Sequence, residues 1–144
     1  MTADDALRGF TRAFCDALAA RTPAQLAPLI SDDIDWTMFG PIDLFPFFGQ
    51  HKGKAAVLSM FGEMGQHLQL RGCDTEKTLA EDGHAATMMR IRARDNHSGR
   101  MLTFRLALFT RFADEKLMSL HALVDTFDAV EQVLGREIDL SAVA

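Results

Sequence analysis

The segment RMLTFRLALFTRFA, residues 100–113, alternates between apolar side chains and a mixed set. A period of two residues is typical of a β-strand that buries one face. Apart from Thr110, one side of this strand carries only hydrocarbon: Leu102, Phe104, Leu106, Leu108 and Phe112. The other side carries Thr103, Arg105, Ala107, Phe109 and Arg111. We therefore predict a sheet with one apolar face and one face that mixes apolar residues with arginine.

The segments around this strand show the same alternation. We predict three more strands, over 67–80, 84–95 and 116–127. The gaps hold residues that favour tight turns: Asp82–Gly83, the run from Asn96 to Gly99, and Asp114–Glu115. Because short connections join antiparallel neighbours, the second half of the chain is predicted to form an antiparallel meander.

The first half of the chain has helical periodicity instead. A helix is predicted over 4–21, with one apolar face formed by Leu7, Phe10, Phe14 and Leu18. Thr22 as N-cap, followed by Pro23 and Gln25, predicts a short second helix that ends near Ile30. A third helix is predicted over 52–66, with Val57, Met60, Phe61 and Met64 on its inner face.

Two more elements complete the prediction. Residues 34–39 read as a strand, with Ile34, Trp36 and Met38 on one side. Residues 128–135 read as a short final helix that is stopped by Gly135. Together the elements predict a single α+β domain over residues 1–144, in which three N-terminal helices wrap a curved antiparallel sheet.

Composition narrows the possible partners. A net charge of −5 and a pI near 5.4 argue against nucleic acid, because phosphate binding needs a basic surface. No apolar run approaches the roughly 20 residues that cross a membrane. The N-terminus lacks the pattern of a signal peptide, so we expect a cytoplasmic protein with Cys15 and Cys73 reduced.

The segment TMFGPIDLFPFFGQHKGK, residues 37–54, is rich in large apolar residues broken by proline and glycine. It is too interrupted for a helix and too apolar for an ordinary exposed loop. Two interpretations stay open: an apolar lid over a pocket, or a loop that contacts the partner in a dimer.

Three further segments carry a family resemblance. They are LISDDIDW (29–36), PFFGQHKGKAAVLSMF (46–61) and KLMSLHALVD (116–125). In this order and spacing they resemble the nuclear transport factor two-like superfamily, which includes ketosteroid isomerase, limonene epoxide hydrolase and the SnoaL-like polyketide cyclases. The resemblance implies a cone-shaped half barrel around an apolar pocket, usually dimeric through the sheet face.

The catalytic positions of that superfamily hold inert residues here. By resemblance, the base of ketosteroid isomerase falls on Met38, its tyrosine on Phe14 and its aspartate on Leu108. The carboxylate that the cyclases and the epoxide hydrolase place on the last strand falls on Ala122. None of these four side chains can exchange a proton, as general acid–base catalysis requires. The resemblance therefore implies the fold without the isomerase residues.

These observations predict a protein that binds a small hydrophobic molecule in an apolar pocket, without a cofactor. The predicted lining is Phe14, Leu18, Trp36, Met38, Phe61, Met89, Ile91, Phe104, Leu106, Leu108, Leu120, Ala122 and Val124. Trp36 could stack on the ligand or belong to the core. The predicted partner is a second copy of the chain, bound through the sheet face.

The alternative is a SnoaL-like enzyme: an isomerase, cyclase, hydrolase or dehydratase. Its candidate catalytic residues are His121, Asp125 and Asp35. Because His121 and Asp125 lie four residues apart on one strand face, they could act as a base and the carboxylate that orients it. Strand alternation instead favours His121 facing solvent or a dimer partner, with Asp125 capping the last helix. The histidines lack the spacing of a transition-metal site, so no metal is expected. An arginine cluster could bind an anion or lie at a dimer interface, and it comprises Arg90, Arg92, Arg94, Arg105 and Arg111.

Overall fold

The computed structural model describes residues 3–20 and 23–141. The first half contains α1 (Ala3–Ala20), a 3-10 helix (Pro23–Leu29), β1 (Ile30–Phe39), β2 (Gly49–Lys52) and α2 (Lys54–His67). The second half contains β3 (Leu68–Glu81), β4 (His84–Asp95), β5 (Met101–Ala113), β6 (Lys116–Val124) and α3 (Thr126–Leu134). Six strands form one curved sheet in the order β2-β1-β6-β5-β4-β3. The predicted α+β fold is confirmed.

The four long strands form the predicted meander, and each pairs antiparallel with the next. One pairing differs from the expected antiparallel pattern, because β1 lies parallel to β6, with Trp36 beside Leu120 and Met38 beside Ala122. Parallel strands need a long crossover connection. Helix α2 and the meander itself supply that connection here.

Strand β2 was not predicted. Its sequence, GQHK, has no apolar alternation, and the glycines at its start and directly after it, Gly49 and Gly53, indicated turns. In the structure it pairs antiparallel with β1, from Asp35 opposite Lys52 to Met38 opposite Gly49. Both glycines have positive φ angles, 99° and 88°, a region that other residues rarely adopt. They therefore allow the tight entry into β2 and the turn from β2 into α2.

The helices cover the apolar face of the sheet. Helix α2 begins two residues later than predicted, and its buried residues are the four expected ones: Val57, Met60, Phe61 and Met64. The predicted second helix is a 3-10 turn that contains Pro28. Its predicted cap, Thr22, lies outside the described residues. In α1, Leu7 and Phe10 are buried, and the side chains of Phe14 and Leu18 are outside the described set.

Helix α3 is the last helix, as predicted, and it begins two residues earlier than predicted. Asp125 is its N-cap and accepts a hydrogen bond from the backbone N–H of Asp128 at 3.2 Å. Gly135 ends the helix in the left-handed conformation, with φ of 70°. None of the helices in the described part of the chain is long and apolar enough to cross a membrane.

Candidate functional site: an apolar cavity

A cavity of about 70 Å³ lies between the sheet and the helices. The strands contribute Trp36, Met38, Leu68, Leu70, Met89, Ile91, Ala93, Phe104, Leu106, Leu108, Leu120, Ala122 and Val124. Phe10, Phe47, Phe48 and Met64 close it from the helices and from the loop after β1. Every one of these side chains is aliphatic, aromatic or a thioether.

Strand register explains why residues from distant parts of the sequence meet here. Met38 lies beside Ala122, which in turn lies opposite Leu108. Ile91 lies opposite Phe104. Since paired residues point to the same face of a sheet, the apolar sides of β1 and of the four long strands face the same space.

Most of the predicted lining surrounds this cavity. Phe61 is the exception among the described side chains, because it packs against Trp36 with ring centroids 5.0 Å apart and is not part of the lining. Phe14 and Leu18 lie outside the described side chains. The prediction missed Phe10, Phe47, Phe48, Met64, Leu68, Leu70 and Ala93. Ala93 could have been found, since it shares strand parity with Met89.

The loop after β1 contributes an aromatic cluster. Phe45, Phe47 and Phe48 are buried, with ring centroids between 5.0 and 5.7 Å apart. His51 lies with Nε2 2.9 Å from the backbone carbonyl oxygen of Phe47, which fixes this part of the loop to β2. Ile42, in contrast, is 55% exposed on the outside. The loop therefore has a buried half against the cavity and an exposed half away from it.

None of the described residues that line the cavity has an acidic or basic side chain. Met38, Leu108 and Ala122, onto which the family resemblance places catalytic groups, all contribute to its wall. Trp36 carries the one N–H among the described lining side chains. The arrangement can therefore hold an apolar molecule, but it offers no described group to move a proton.

Asp95 follows the cavity residues on the inner side of β4, but its carboxylate forms hydrogen bonds within the turn that follows this strand. It accepts hydrogen bonds from the Ser98 hydroxyl at 2.8 Å and from the backbone N–H of His97 at 3.0 Å. Burial by itself raises the pKa of Asp95, and these hydrogen bonds outweigh it, so the pKa lies below its ordinary value. Asp95 is thus an ionised turn residue and is not part of the cavity wall.

The candidate catalytic residues lie on the opposite face of the sheet. His121 Nε2 is 3.3 Å from Asp35 Oδ2, and both side chains are partly exposed. The parallel pairing of β1 and β6 brings these two residues together. Asp125, at the end of β6, is occupied as the cap of α3. The structure therefore pairs His121 with Asp35, and not with Asp125.

Three arginines of the outer face, Arg90, Arg92 and Arg105, lie beside acidic residues of β3. Glu76 contacts Arg105 at 2.9 Å and Arg90 at 3.6 Å. The hydrogen bond from Arg105 holds the pKa of the Glu76 carboxyl below its usual value. Arg92 lies 3.9 Å from Asp74. Within the described ranges, no three histidine, cysteine, aspartate or glutamate side chains come together as metal ligands would.

Between these charged groups the outer face carries an apolar band. Its exposed members are Phe39, Leu79, Met88, Phe109 and Leu123. Register places Phe39 beside Leu123, and Leu123 opposite Ala107. The band therefore runs across the strands, from β1 to β3. We call this surface the outer band.

Comparison with known proteins finds one matching domain family and several similar solved structures. A model of the SnoaL-like domain matches residues 11–120. A crystal structure of a Rhodopseudomonas palustris protein, described as a candidate isomerase, is 40% identical over 91% of this chain and 97% of that one, with a TM-score of 0.86. No curated protein matches the sequence.

More distant structures share the fold alone. A nuclear transport factor two-like protein from Burkholderia xenovorans is 16% identical, covers 92% of this chain and 97% of its own, and has a TM-score of 0.70. An LEH-like epoxide hydrolase from M. tuberculosis is 14% identical, covers 92% of this chain and 91% of its own, and has a TM-score of 0.71. At these identities the likeness extends to the architecture and not to the chemistry.

Proposed function

The chain belongs to the SnoaL-like domain family, and from that premise we propose that it binds a small apolar molecule in the cavity under its helices. The observation that carries the proposal is the chemistry of the wall. The residues onto which the resemblance places catalytic groups are Met38, Leu108 and Ala122, and each adds only apolar surface to the cavity. A wall of this kind favours burial of hydrocarbon and supplies no group for acid–base chemistry.

The size of the cavity limits the ligand. Pockets for drug-sized ligands measure about 300–1,000 Å³, whereas this cavity measures about 70 Å³. A larger ligand therefore requires side chains to move. Met38, Met64 and Met89 lie in the wall, and unbranched thioether side chains repack at low cost. Leu68, Leu70 and Ile91 retain partial exposure, which supports entry beside β3 and β4.

The experiment that tests the proposal is native mass spectrometry of gently purified protein. We expect added mass on the folded species that disappears on denaturation, because a bound apolar molecule leaves when the cavity opens. Ala122→Val fills the cavity, while Ala107→Val adds the same two methyl groups to the outer face. The first variant should lose the added mass and the second should keep it. Equal retention by both variants would place the bound molecule elsewhere.

An enzymatic function is the second candidate. One observation favours it: the 40% identical R. palustris protein is described as a candidate isomerase. A reaction of this kind would use the pair formed by His121 and Asp35, which lies on the outer face and away from the cavity. An activity that survives His121→Asn and Asp35→Asn would exclude this pair.

We also propose that a second copy of the chain covers the outer band. Several large apolar residues are about half exposed there, among them Phe109 at 51% and Leu123 at 49%. The flanking rows carry both signs of charge, with Arg90, Arg105 and Glu76 on one side. A two-fold interface brings a surface against itself, so it needs apolar residues and complementary charges on the same patch.

A further inference from the structure

We infer that the ligand of the cavity is a hydrocarbon, or a similarly unfunctionalised molecule, of no more than about one six-membered ring. The inference rests on the proposed binding function and deepens it by naming the ligand class. Such a ligand has no carbonyl, hydroxyl or epoxide group for a protein donor to bind.

The first step is the hydrogen-bonding capacity of the wall. Strands β4, β5 and β6 contribute only alkyl, phenyl and thioether groups, for example Met89, Leu106 and Val124. Main-chain N–H and C=O groups of these strands are used in the ladder of the sheet. A ligand hydroxyl or carbonyl placed against these strands would lose its bonds to water and gain none in return.

The second step is what the inner face does with its polar side chains. Thr87 and Thr110 are buried on that face, but neither lines the cavity. Their hydroxyls are used within the sheet: Thr110 Oγ1 donates to the carbonyl of Ala85 at 3.4 Å, and Thr87 Oγ1 lies 3.4 Å from Thr78 Oγ1. Asp95 is used in its turn, as described above. These hydroxyls and this carboxylate are therefore already committed, and the indole N–H of Trp36 on β1 is the one side-chain donor among the described lining residues.

The third step is size. An apolar cavity of about 150 Å³ is known to hold benzene or xenon. The cavity here, at about 70 Å³, is smaller, and the three methionines of its wall allow modest enlargement. A single ring is thus near the upper limit, and a fused ring system would require the aromatic cluster of Phe45, Phe47 and Phe48 to separate.

The test uses the methionine methyl groups as reporters in NMR of the full chain. Met38, Met64 and Met89 line the cavity, whereas Met88 and Met101 are exposed on the outside. Xenon, benzene and phenol are titrated in turn. We expect xenon and benzene to shift the three cavity methyl signals and to leave the two outer ones in place. Ala122→Val should weaken both interactions, and Ala107→Val should not.

The comparison of benzene with phenol decides the ligand class. Octanol can hydrogen-bond a hydroxyl group and cyclohexane cannot. We expect the ratio of the two affinities to follow partition into cyclohexane, with phenol at least tenfold weaker than its octanol partition would give. A ratio that follows octanol would show that a group in the site, such as the Trp36 N–H, hydrogen-bonds the ligand. That result would overturn the hydrocarbon class, while the binding function would stand.

The remaining outcomes are equally decisive. If neither xenon nor benzene moves the cavity signals, the binding function itself is wrong. If xenon binds and benzene does not, the site is too rigid for an organic ligand and the assigned class is wrong. Shifts of Met88 and Met101 that match those of the cavity methionines would show nonspecific adsorption and would also overturn the assignment.

Discussion

The inner and outer faces of the sheet are made by alternate residues of the same strands. On β5, Leu106 and Leu108 line the cavity, while Ala107 and Phe109 point outward. The inner face carries almost no charge, and the outer face combines an apolar band with arginine, histidine and carboxylates. The comparison shows where each kind of function can reside: an apolar ligand fits inside, and ionic or protein contacts fit outside.

The largest expected difference between the two faces is their response to a new carboxylate. Ala122 is fully buried at the cavity wall, and the next residue, Leu123, is about half exposed. Full burial can raise the pKa of a carboxyl by about three units, so we expect Ala122→Asp to cost about 4 kcal/mol at pH 7. Leu123→Asp should cost less than about 1 kcal/mol.

Urea unfolding as a function of pH measures this difference. The folded-state pKa of the introduced aspartate would be raised, so its penalty should be smallest near pH 4, where only the uncharged carboxyl is buried, and grow as the pH rises. Equal losses for Ala122→Asp and Leu123→Asp, or a loss at position 122 that does not change with pH, would mean that water reaches the cavity wall freely.

The next effect concerns two phenylalanines. Phe47 is 1% exposed beside the cavity, and Phe109 is 51% exposed in the outer band. Truncation of a buried phenylalanine usually costs 3–5 kcal/mol. We expect about 3 kcal/mol for Phe47→Ala, since the cavity already exists and Phe45 and Phe48 can relax, and less than about 1 kcal/mol for Phe109→Ala. The denaturation midpoint of each variant, measured on dilute protein, checks the order, and a larger loss for Phe109→Ala would contradict it.

Association through the outer band should respond in the opposite sense. A charge at the centre of an apolar interface removes about 2 kcal/mol of binding free energy, or about thirtyfold in Kd. We expect Phe109→Glu to shift a dimer toward monomer in analytical ultracentrifugation with little change in unfolding. Ser59→Glu, on the exposed side of α2, adds the same charge away from the sheet and should leave the dimer intact. A wild-type chain that is monomeric at every concentration would remove the proposal.

The sequence predicted the inner face of the sheet better than the outer face. Alternation with period two is a local signal, so the four long strands and most of the cavity wall could be predicted from it. Phe47 and Phe48 come from a loop, and no periodicity states which way a loop side chain points. Strand β2, with four residues, is too short and too polar to give a strand signal in the sequence.

The pair formed by His121 and Asp35 shows a second limit. Local spacing suggested Asp125 as the partner of His121, because the two lie four residues apart on one strand face. The observed partner is 86 residues away in sequence and is brought close by the parallel pairing of β1 with β6. That pairing depends on the whole crossover, and therefore on tertiary packing that no short pattern encodes.

The smallest predicted effect lies where the inner side of β4 ends. The ionised form of Asp95 is stabilised by Ser98 and His97, and its pKa is below the ordinary value of about 3.9. A depressed folded-state pKa gives stability that is fully present above the unfolded pKa and is lost as the pH falls through the folded one. We expect Asp95→Asn to cost about 1 kcal/mol at pH 7, the size of one hydrogen bond, and the cost to shrink below about pH 4.

Ser98→Ala provides the companion variant. It removes the hydroxyl donor but keeps the carboxylate and the backbone N–H of His97, so it should raise the pKa of Asp95 toward its ordinary value. The midpoint of acid unfolding should then move to higher pH in both variants, and further in Asp95→Asn. A penalty for Asp95→Asn that is the same at pH 3 and pH 7 would show that the charge of the carboxylate does not stabilise the turn.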